Sequence, residues 1–169
     1  VSRQKHAHVH WDGKAITIHG VKNLRVLGAT GEKSEIVTRD DSFVLAFEKC
    51  RNVDLRHLSF RHERPAGKCT SAVLGFVSCT NTLLRSCQIS GCGTEGLTLS
   101  RVDRFEMRDS TIRDGTVGIM SVQHSANVLF QKCRFENNGK VYGVDIQKSY
   151  SVLFEDSAFR NNTVQGDLL

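Results

Sequence analysis

The sequence predicts an all-β solenoid, one chain wound into about six coils of three short strands each. Three observations carry this. Leu24, Val53, Thr82, Phe105, Val128 and Val152 are equivalent positions at intervals of 29, 29, 23, 23 and 24 residues. Around each runs the same phrase: an Asn-like residue, an apolar-x-apolar pair, a polar step, a second such pair and a polar turn. The pairs have period two, which is strand periodicity, and no stretch holds a helical stripe of ten or more residues.

The strands fall into three series. The first is Ile16/Ile18, Leu45/Phe47, Leu74/Phe76, Leu97/Leu99 and Val144/Ile146. The second is Leu24/Val26, Val53/Leu55, Thr82/Leu84, Phe105/Met107, Val128/Phe130 and Val152/Phe154. The third is Leu58/Phe60, Cys87/Ile89, Ser110/Ile112, Cys133/Phe135 and Ser157/Phe159. Three strands per coil, all running the same way, wind into a triangular prism in which each strand pairs with the coils above and below. The handedness of parallel crossovers makes it right-handed. Phe47, Phe76 and Leu99 should share one buried column. Asn23, Asn52, Asn81 and Asn127 precede the second strand, where asparagine tolerates left-handed backbone, and their amides can stack into a ladder at about 4.8 Å. Arg104 and Ser151 interrupt that row. Gly91, Gly93, Gly96, Gly115, Gly118, Gly139, Gly143 and Gly166 mark the turn into each next coil, where positive backbone angles are expected.

The chain has 169 residues, read as a single domain over 1–169, with 1–13 a partial coil or cap. No apolar run approaches the ~20 residues of a membrane span. No signal peptide is visible, and the polar start leaves room for an upstream export signal or a further domain. Localisation and oligomeric state stay open. The net charge is +5. That suits either an acidic partner or an ordinary mixed-charge surface. Arg61, Arg113, Glu136 and Arg160 should stack on the third strand's outer face, with Arg134 beside them. Arg56, Arg85, Arg108, Gln131 and Glu155 should align on the second. Outward aromatics for base stacking are missing from these rows, so neither nucleic acid nor membrane is expected as a partner.

The segments His62-Glu63-Arg64-Pro65-Ala66-Gly67-Lys68-Cys69, Val73-Leu74, Gly91-Cys92-Gly93-Thr94-Glu95-Gly96-Leu97 and Gly118-Ile119-Met120 resemble those of right-handed parallel β-helix repeat proteins of the pectin-lyase-like superfold. The nearer likeness is to a bacterial group of unassigned activity. The resemblance covers roughly residues 14 to 166. It implies the fold and says little about activity, because one superfold hosts unrelated functions. The catalytic signatures of the related lyases, polygalacturonases and epimerases are not found, so no catalytic residue is carried over.

Several groups of residues are candidates for function. The 61–71 turn should emerge beside the Gly91-Cys92-Gly93-Thr94 turn, gathering His62, Glu63, Cys69, Cys92, Glu95 and Asp114. A Cys69–Cys92 disulfide, a thiolate–histidine nucleophile, a Cys/His/Glu metal site and two thiols buried under the loop all remain open there. The other cysteines, Cys50, Cys79, Cys87 and Cys133, read as small core residues. A strip of small residues at Ala46, Gly75 and Thr98, flanked by Glu48 and Arg101, suits a flat ligand. Glu48 and Asp145, the only acids in the first strand's outward set, stand about three coils or ~14 Å apart, too far for a glycosidase pair. Leu83, Leu129 and Leu153 point outward beside Arg25, Asp54 and Glu106 and form a possible partner surface. His6, His8 and His10 alternate along one strand face, with His19 on the next strand, which makes a weak metal candidate against the alternative of a polar edge strand. No cofactor is expected.

These readings favour a β-helix binding or interaction module whose ligand is a glycan or another protein. A polysaccharide-acting lyase, hydrolase or epimerase is the alternative, and a structural spacer in a larger protein is the second. No paired acid and base appears in one groove, which leans against an enzyme.

Overall fold

The computed structural model describes residues 8–11, 15–29, 34–39, 41–63, 70–91, 93–139 and 143–163. A first strand, β1 (His8–Trp11), precedes six coils. Coil one carries β2 (Ile16–His19), β3 (Lys22–Leu27) and β4 (Ser34–Thr38). Coil two carries β5 (Leu45–Glu48), β6 (Arg51–Arg56) and β7 (Leu58–His62). Coil three has β8 (Leu74–Val77), β9 (Thr80–Arg85) and β10 (Gln88–Ser90). Coil four has β11 (Leu97–Ser100), β12 (Asp103–Arg108) and β13 (Thr111–Arg113). Coil five has β14 (Met120–Gln123), β15 (Ala126–Gln131) and β16 (Arg134–Glu136), and coil six has β17 (Val144–Gln147), β18 (Tyr150–Glu155) and β19 (Ala158–Arg160). No helix is long and apolar enough to cross a membrane.

Like strands stack on like strands. The first strands form sheet A (β1-β2-β5-β8-β11-β14-β17), the second strands sheet B (β3-β6-β9-β12-β15-β18) and the third strands sheet C (β4-β7-β10-β13-β16-β19). Every neighbouring pair is parallel except β1 with β2, which is antiparallel. The sequence reading that the three strands of each coil run one way holds in the six coils, and β1 lies in the 1–13 segment set apart as a partial coil or cap. Two strands escaped it. Met120/Val122 fills the first series in coil five, and β4 supplies a third strand to coil one.

The expected column is present. Phe47, Phe76 and Leu99 are adjacent in the ladder, and each is wholly buried. Phe47 and Phe76 stack at 4.8 Å with rings 4° apart. Edge-on and tilted contacts then pass the aromatic column through Phe105 and Phe130. At the last coil Phe154 stacks on Phe130 at 4.9 Å, while Ile146 and Phe159 are each more than two-fifths exposed. Parallel in-register pairing puts equivalent side chains one rung apart, so flat rings can stack face to face in a core this narrow.

Corners are made by left-handed residues, and here the glycine expectation is corrected. Among the described glycines only Gly20 and Gly91 have positive φ. The corners instead use residues such as Lys49, Ser78, His57, Asp109 and Asn137, with φ between 49° and 56°. Asn23, Asn52, Asn81 and Asn127 share that conformation as the second residue of their strands, with Arg104 and Ser151 in the same role. The turn glycines answer to crowding instead. A Cβ on Gly96 would stand 2.3 Å from Ile112 Cγ2. Gly166 lies outside the described residues.

Most corners turn peptide groups inward onto small polar side chains, with Val21, Leu58 and Val102 the exceptions. From A to B this is done by Cys50, Cys79, Ser125 and Ser149, and from B to C by Cys87, Ser110, Cys133 and Ser157. Ser110 Oγ donates to Arg108 O at 2.6 Å and accepts from Cys87 N at 2.9 Å. Cys133 Sγ donates to Met107 O of the coil below at 3.2 Å. From C to A the role passes to Asn138, whose Oδ1 accepts from Gly115 N and whose Nδ2 donates to Ile112 O. The four cysteines are free and buried, as expected of core residues, and they also serve as donors. Burial pushes Cys133 up to about 11 and raises Cys87. Cys79 is raised by its hydrogen bond with Cys50 and by burial.

Two outcomes follow. Phe76→Ala should cost about 3–5 kcal/mol in urea unfolding, and Leu153→Ala, on the outer face, less than about 0.5 kcal/mol. In a Cys69→Ser/Cys92→Ser background, native protein at about pH 8 should resist a thiol reagent, and all four remaining cysteines should react after denaturation.

Candidate functional site

Long turns and short corners divide the surface unequally. From coil two onward, the A-to-B and B-to-C corners hold at most two residues between strands. The C-to-A turns run from six residues (91–96) to eleven (63–73). Phe43 and Glu95, from two of the C-to-A turns, fold back over sheet A.

The consequence for sheet A is direct. The predicted small-residue strip is in register, Ala46 beside Gly75 beside Thr98, with Ser121 and Asp145 continuing it. It is covered by the chain's own side chains. The Phe43 ring sits over Gly75, where an added Cβ would lie 2.8 Å from it. Glu95 is buried, and its Oε1 accepts from Thr98 Oγ1 at 2.8 Å and Ser121 Oγ at 2.9 Å. Glu48 and Arg101 flank this strip as exposed residues, and Arg101 Nε reaches Ser78 Oγ at 3.4 Å. Glu48 and Asp145 are four coils apart, in β5 and β17, rather than three. At about 4.8 Å per rung their separation is ~19 Å, which removes the pair more firmly.

The residues expected to gather at the long turn diverge. His62 is buried; its Nε2 donates to Ser42 O at 2.7 Å, and its Nδ1 meets no hydrogen-bond partner among the described residues. Glu63 turns outward to Arg39, whose hydrogen bond and charge hold its carboxyl below the usual range. Glu95 is directed onto sheet A, as above. Asp114 lies 3.6 Å from Arg113. Cys69 and Cys92 lie outside the described residues, as does His6. Among the described residues no three His, Cys, Asp or Glu side chains converge as a metal site.

Sheet B carries the most coherent concave surface. Its outer face presents the column Arg25, Asp54, Leu83, Glu106, Leu129, Leu153, in the register the alternation predicts. Beside it runs the asparagine ladder. Asn52 Nδ2 donates to Asn23 Oδ1, and Asn81 Nδ2 to Asn52 Oδ1, both at 2.7 Å. Asn127 Nδ2 donates to Asp103 Oδ1 at 2.8 Å across the Arg104 break. Between ladder and column lie two hollows. One of about 490 Å³ is lined by Asn23, Asn52, Asp54 and Leu83, and one of about 370 Å³ by Arg104, Glu106, Leu129 and Leu153. Asn81 lines both, so the two hollows are neighbours along the solenoid axis.

The charges of this face are compensated from within. Arg25 and Arg56 both donate to Asp54, at 3.2 and 2.7 Å. Arg108 binds Glu106 at 2.9 Å and Gln131 at 2.8 Å, and Arg85 faces Asp109 at 3.6 Å. The arginine row found in the sequence is real in register, and its guanidinium groups are engaged by the chain's own acids. Sequence reasoning did not find the groove. Its signal was the combination of the asparagine row and the outward leucines two residues along the same strands.

The chain is similar to known proteins in two ways. Residues 47–168 match the family described as right handed beta helix region. A crystal structure of a candidate glycosyl hydrolase from Parabacteroides merdae superposes with a TM-score of 0.61 at 9% identity, covering 86% of this chain and 79% of that one. No curated protein matches the chain. The parallel stacking of three sheets and the family match lead to one conclusion: this chain belongs to the right-handed β-helix family.

Proposed function

We propose that the chain is a glycan-binding solenoid that takes an extended polysaccharide along the sheet B groove. The observation that carries this reading is the pair of neighbouring hollows on one sheet face, with Asn81 in the lining of both. A groove repeating every rung, at about 4.8 Å, offers successive equivalent subsites to a polymer of repeating units. The amide ladder supplies donors and acceptors for hydroxyl groups, and Leu83, Leu129 and Leu153 supply apolar floor for the faces of sugar rings. Because the arginines are already paired, a neutral glycan fits better than a uronate. The glycosyl hydrolase label of the Parabacteroides merdae structure is consistent with a carbohydrate ligand.

One observation favours a second reading, hydrolysis. Asp54 and Glu106 lie two rungs apart in one column, about 9–10 Å, close to the spacing of inverting glycosidases. Binding is preferred over hydrolysis because both Asp54 oxygens already accept arginine N–H groups and Glu106 accepts from Arg108. Oxygens so engaged are poorly placed to hand a proton to a glycosidic oxygen.

A glycan array followed by isothermal titration tests the proposal. A neutral linear glycan should bind, and Leu83→Glu and Leu129→Glu should each weaken it by about tenfold or more. Raising salt from about 0.01 to about 1 M should change the affinity little. Absence of any glycan ligand, or binding indifferent to both substitutions, would overturn the reading. Reducing ends released by wild type and lost in Asp54→Asn would replace it with hydrolysis.

A further inference from the structure

Coil six ends as an open rung. β17, β18 and β19 are the outermost strands of sheets A, B and C at this end, so each has an edge of backbone N–H and C=O groups with no strand beside it among the described residues. Their inward side chains are apolar: Val144 and Ile146, Val152 and Phe154, and Phe159. Ile146 and Phe159 continue the columns of Val122 and Phe135, which are wholly buried one coil in, yet each is more than two-fifths exposed. Edge strands are ordinarily blunted by lysine, proline, a bulge or an inward charge. These three strands hold no lysine, no proline and no inward charge. One more layer of strands would pair the edges and cover the rings together.

The geometry favours a layer related to this one by symmetry. At the other end β1 lies antiparallel on β2, so a copy stacked head to tail would meet a strand running the wrong way in sheet A. Two coil-six ends match each other. A twofold axis across the solenoid, through the middle of one sheet, lays that sheet's last strand antiparallel on itself and exchanges the other two. Strand length selects sheet B: β18 has six residues, while β17 and β19 have four and three. Position agrees. Ile146 comes six residues before Val152, and Phe159 six after Leu153, and these are the two middle residues of β18. The axis therefore sets Ile146 opposite the partner's Phe159. The residues on either side then oppose Asp145 to Arg160 and Gln147 to Ala158.

Charge completes the match. Among the described residues Asp145 accepts from Gln147 and faces no cation, and Arg160 meets no acid. Both are outward positions of their strands, next to the inward Ile146 and Phe159. Opposed across the seam, each carboxylate gains a guanidinium, and symmetry makes the pair twice.

We infer that the open face of coil six is an interface whose occupant is a second copy of this chain, related by a twofold axis through sheet B. β18 lies on β18 and β17 on β19, and the two solenoids join end to end into one of twelve coils. Such a contact closes at two copies and does not grow into a filament. It involves no glycan, so it holds or fails apart from the hollows on sheet B.

Sedimentation velocity of the full chain without glycan or affinity tag, from about 1 to about 500 µM, tests this. A monomer–dimer equilibrium should appear, with no larger species. Asp145→Arg and Arg160→Asp should each weaken the dimer about tenfold or more, and the double variant Asp145→Arg/Arg160→Asp should restore it. Circular dichroism of each variant against wild type separates loss of contact from loss of fold. Small-angle scattering gives a reading independent of any variant: the dimer should be a rod roughly 55–60 Å long, at about 4.8 Å per rung. A strict monomer over this range, a dimer indifferent to both reversals, no rescue in the double variant, a side-by-side shape or open-ended growth would each overturn the inference.

Discussion

In-register parallel stacking is the constraint from which the rest of this structure follows. A residue in one coil stands beside its equivalents in the coils above and below, so every choice is made in columns. An apolar column becomes a core, as with Phe47, Phe76 and Leu99. An amide column becomes a ladder. A charge column becomes a problem, since like charges in directly opposed positions repel. Arg56, Arg85 and Arg108 occupy three successive rungs. Each turns aside to an acid, Asp54 or Glu106 two residues back on its own strand, or Asp109 at the corner one coil on. That local neutralisation makes the column tolerable, and it also withdraws the row from service to an anionic partner.

Stacking also explains what could be read from the sequence. Period two assigns a face to every strand residue, and the interval between coils assigns its neighbours, so the leucine column and the asparagine ladder were legible without coordinates. Turns have no such rule. The sequence puts His62 in the long turn beside Glu95, yet His62 ends β7 and packs inward on Ser42, while Glu95 folds over Thr98 and Ser121. The corners misled for a different reason. Left-handed backbone suggests glycine, but most corners also place an inward donor at the next position, pairing a left-handed polar residue with a Cys or Ser. The missed strands β4 and β14 follow long or irregular turns, where the interval alone cannot set the phase.

The unequal turns decide which face is available. Sheet A offers small residues along its outer surface, a shape suited to a ligand, and the long turns fill it with Phe43 and Glu95. From coil two onward sheet B lies between two tight corners, and both hollows lie on its outer face. Fold likeness at 9% identity carries no information on which face another β-helix protein uses. The argument for sheet B therefore rests on this chain's own geometry.

The larger hollow on sheet B begins in coil one. A solenoid is a one-dimensional array in which each coil is held by its neighbours, so a terminal coil has half the support of an internal one. Coil one contributes Asn23 and Arg25 to the larger hollow, while the smaller one draws on coils three to six. Ile16 and Leu27 in this coil are two-fifths or more exposed, in contrast to the wholly buried Phe47 and Leu55 one coil on. The order of coil one therefore bears on Asn23, whose carbonyl oxygen Oδ1 starts the amide ladder by accepting from Asn52.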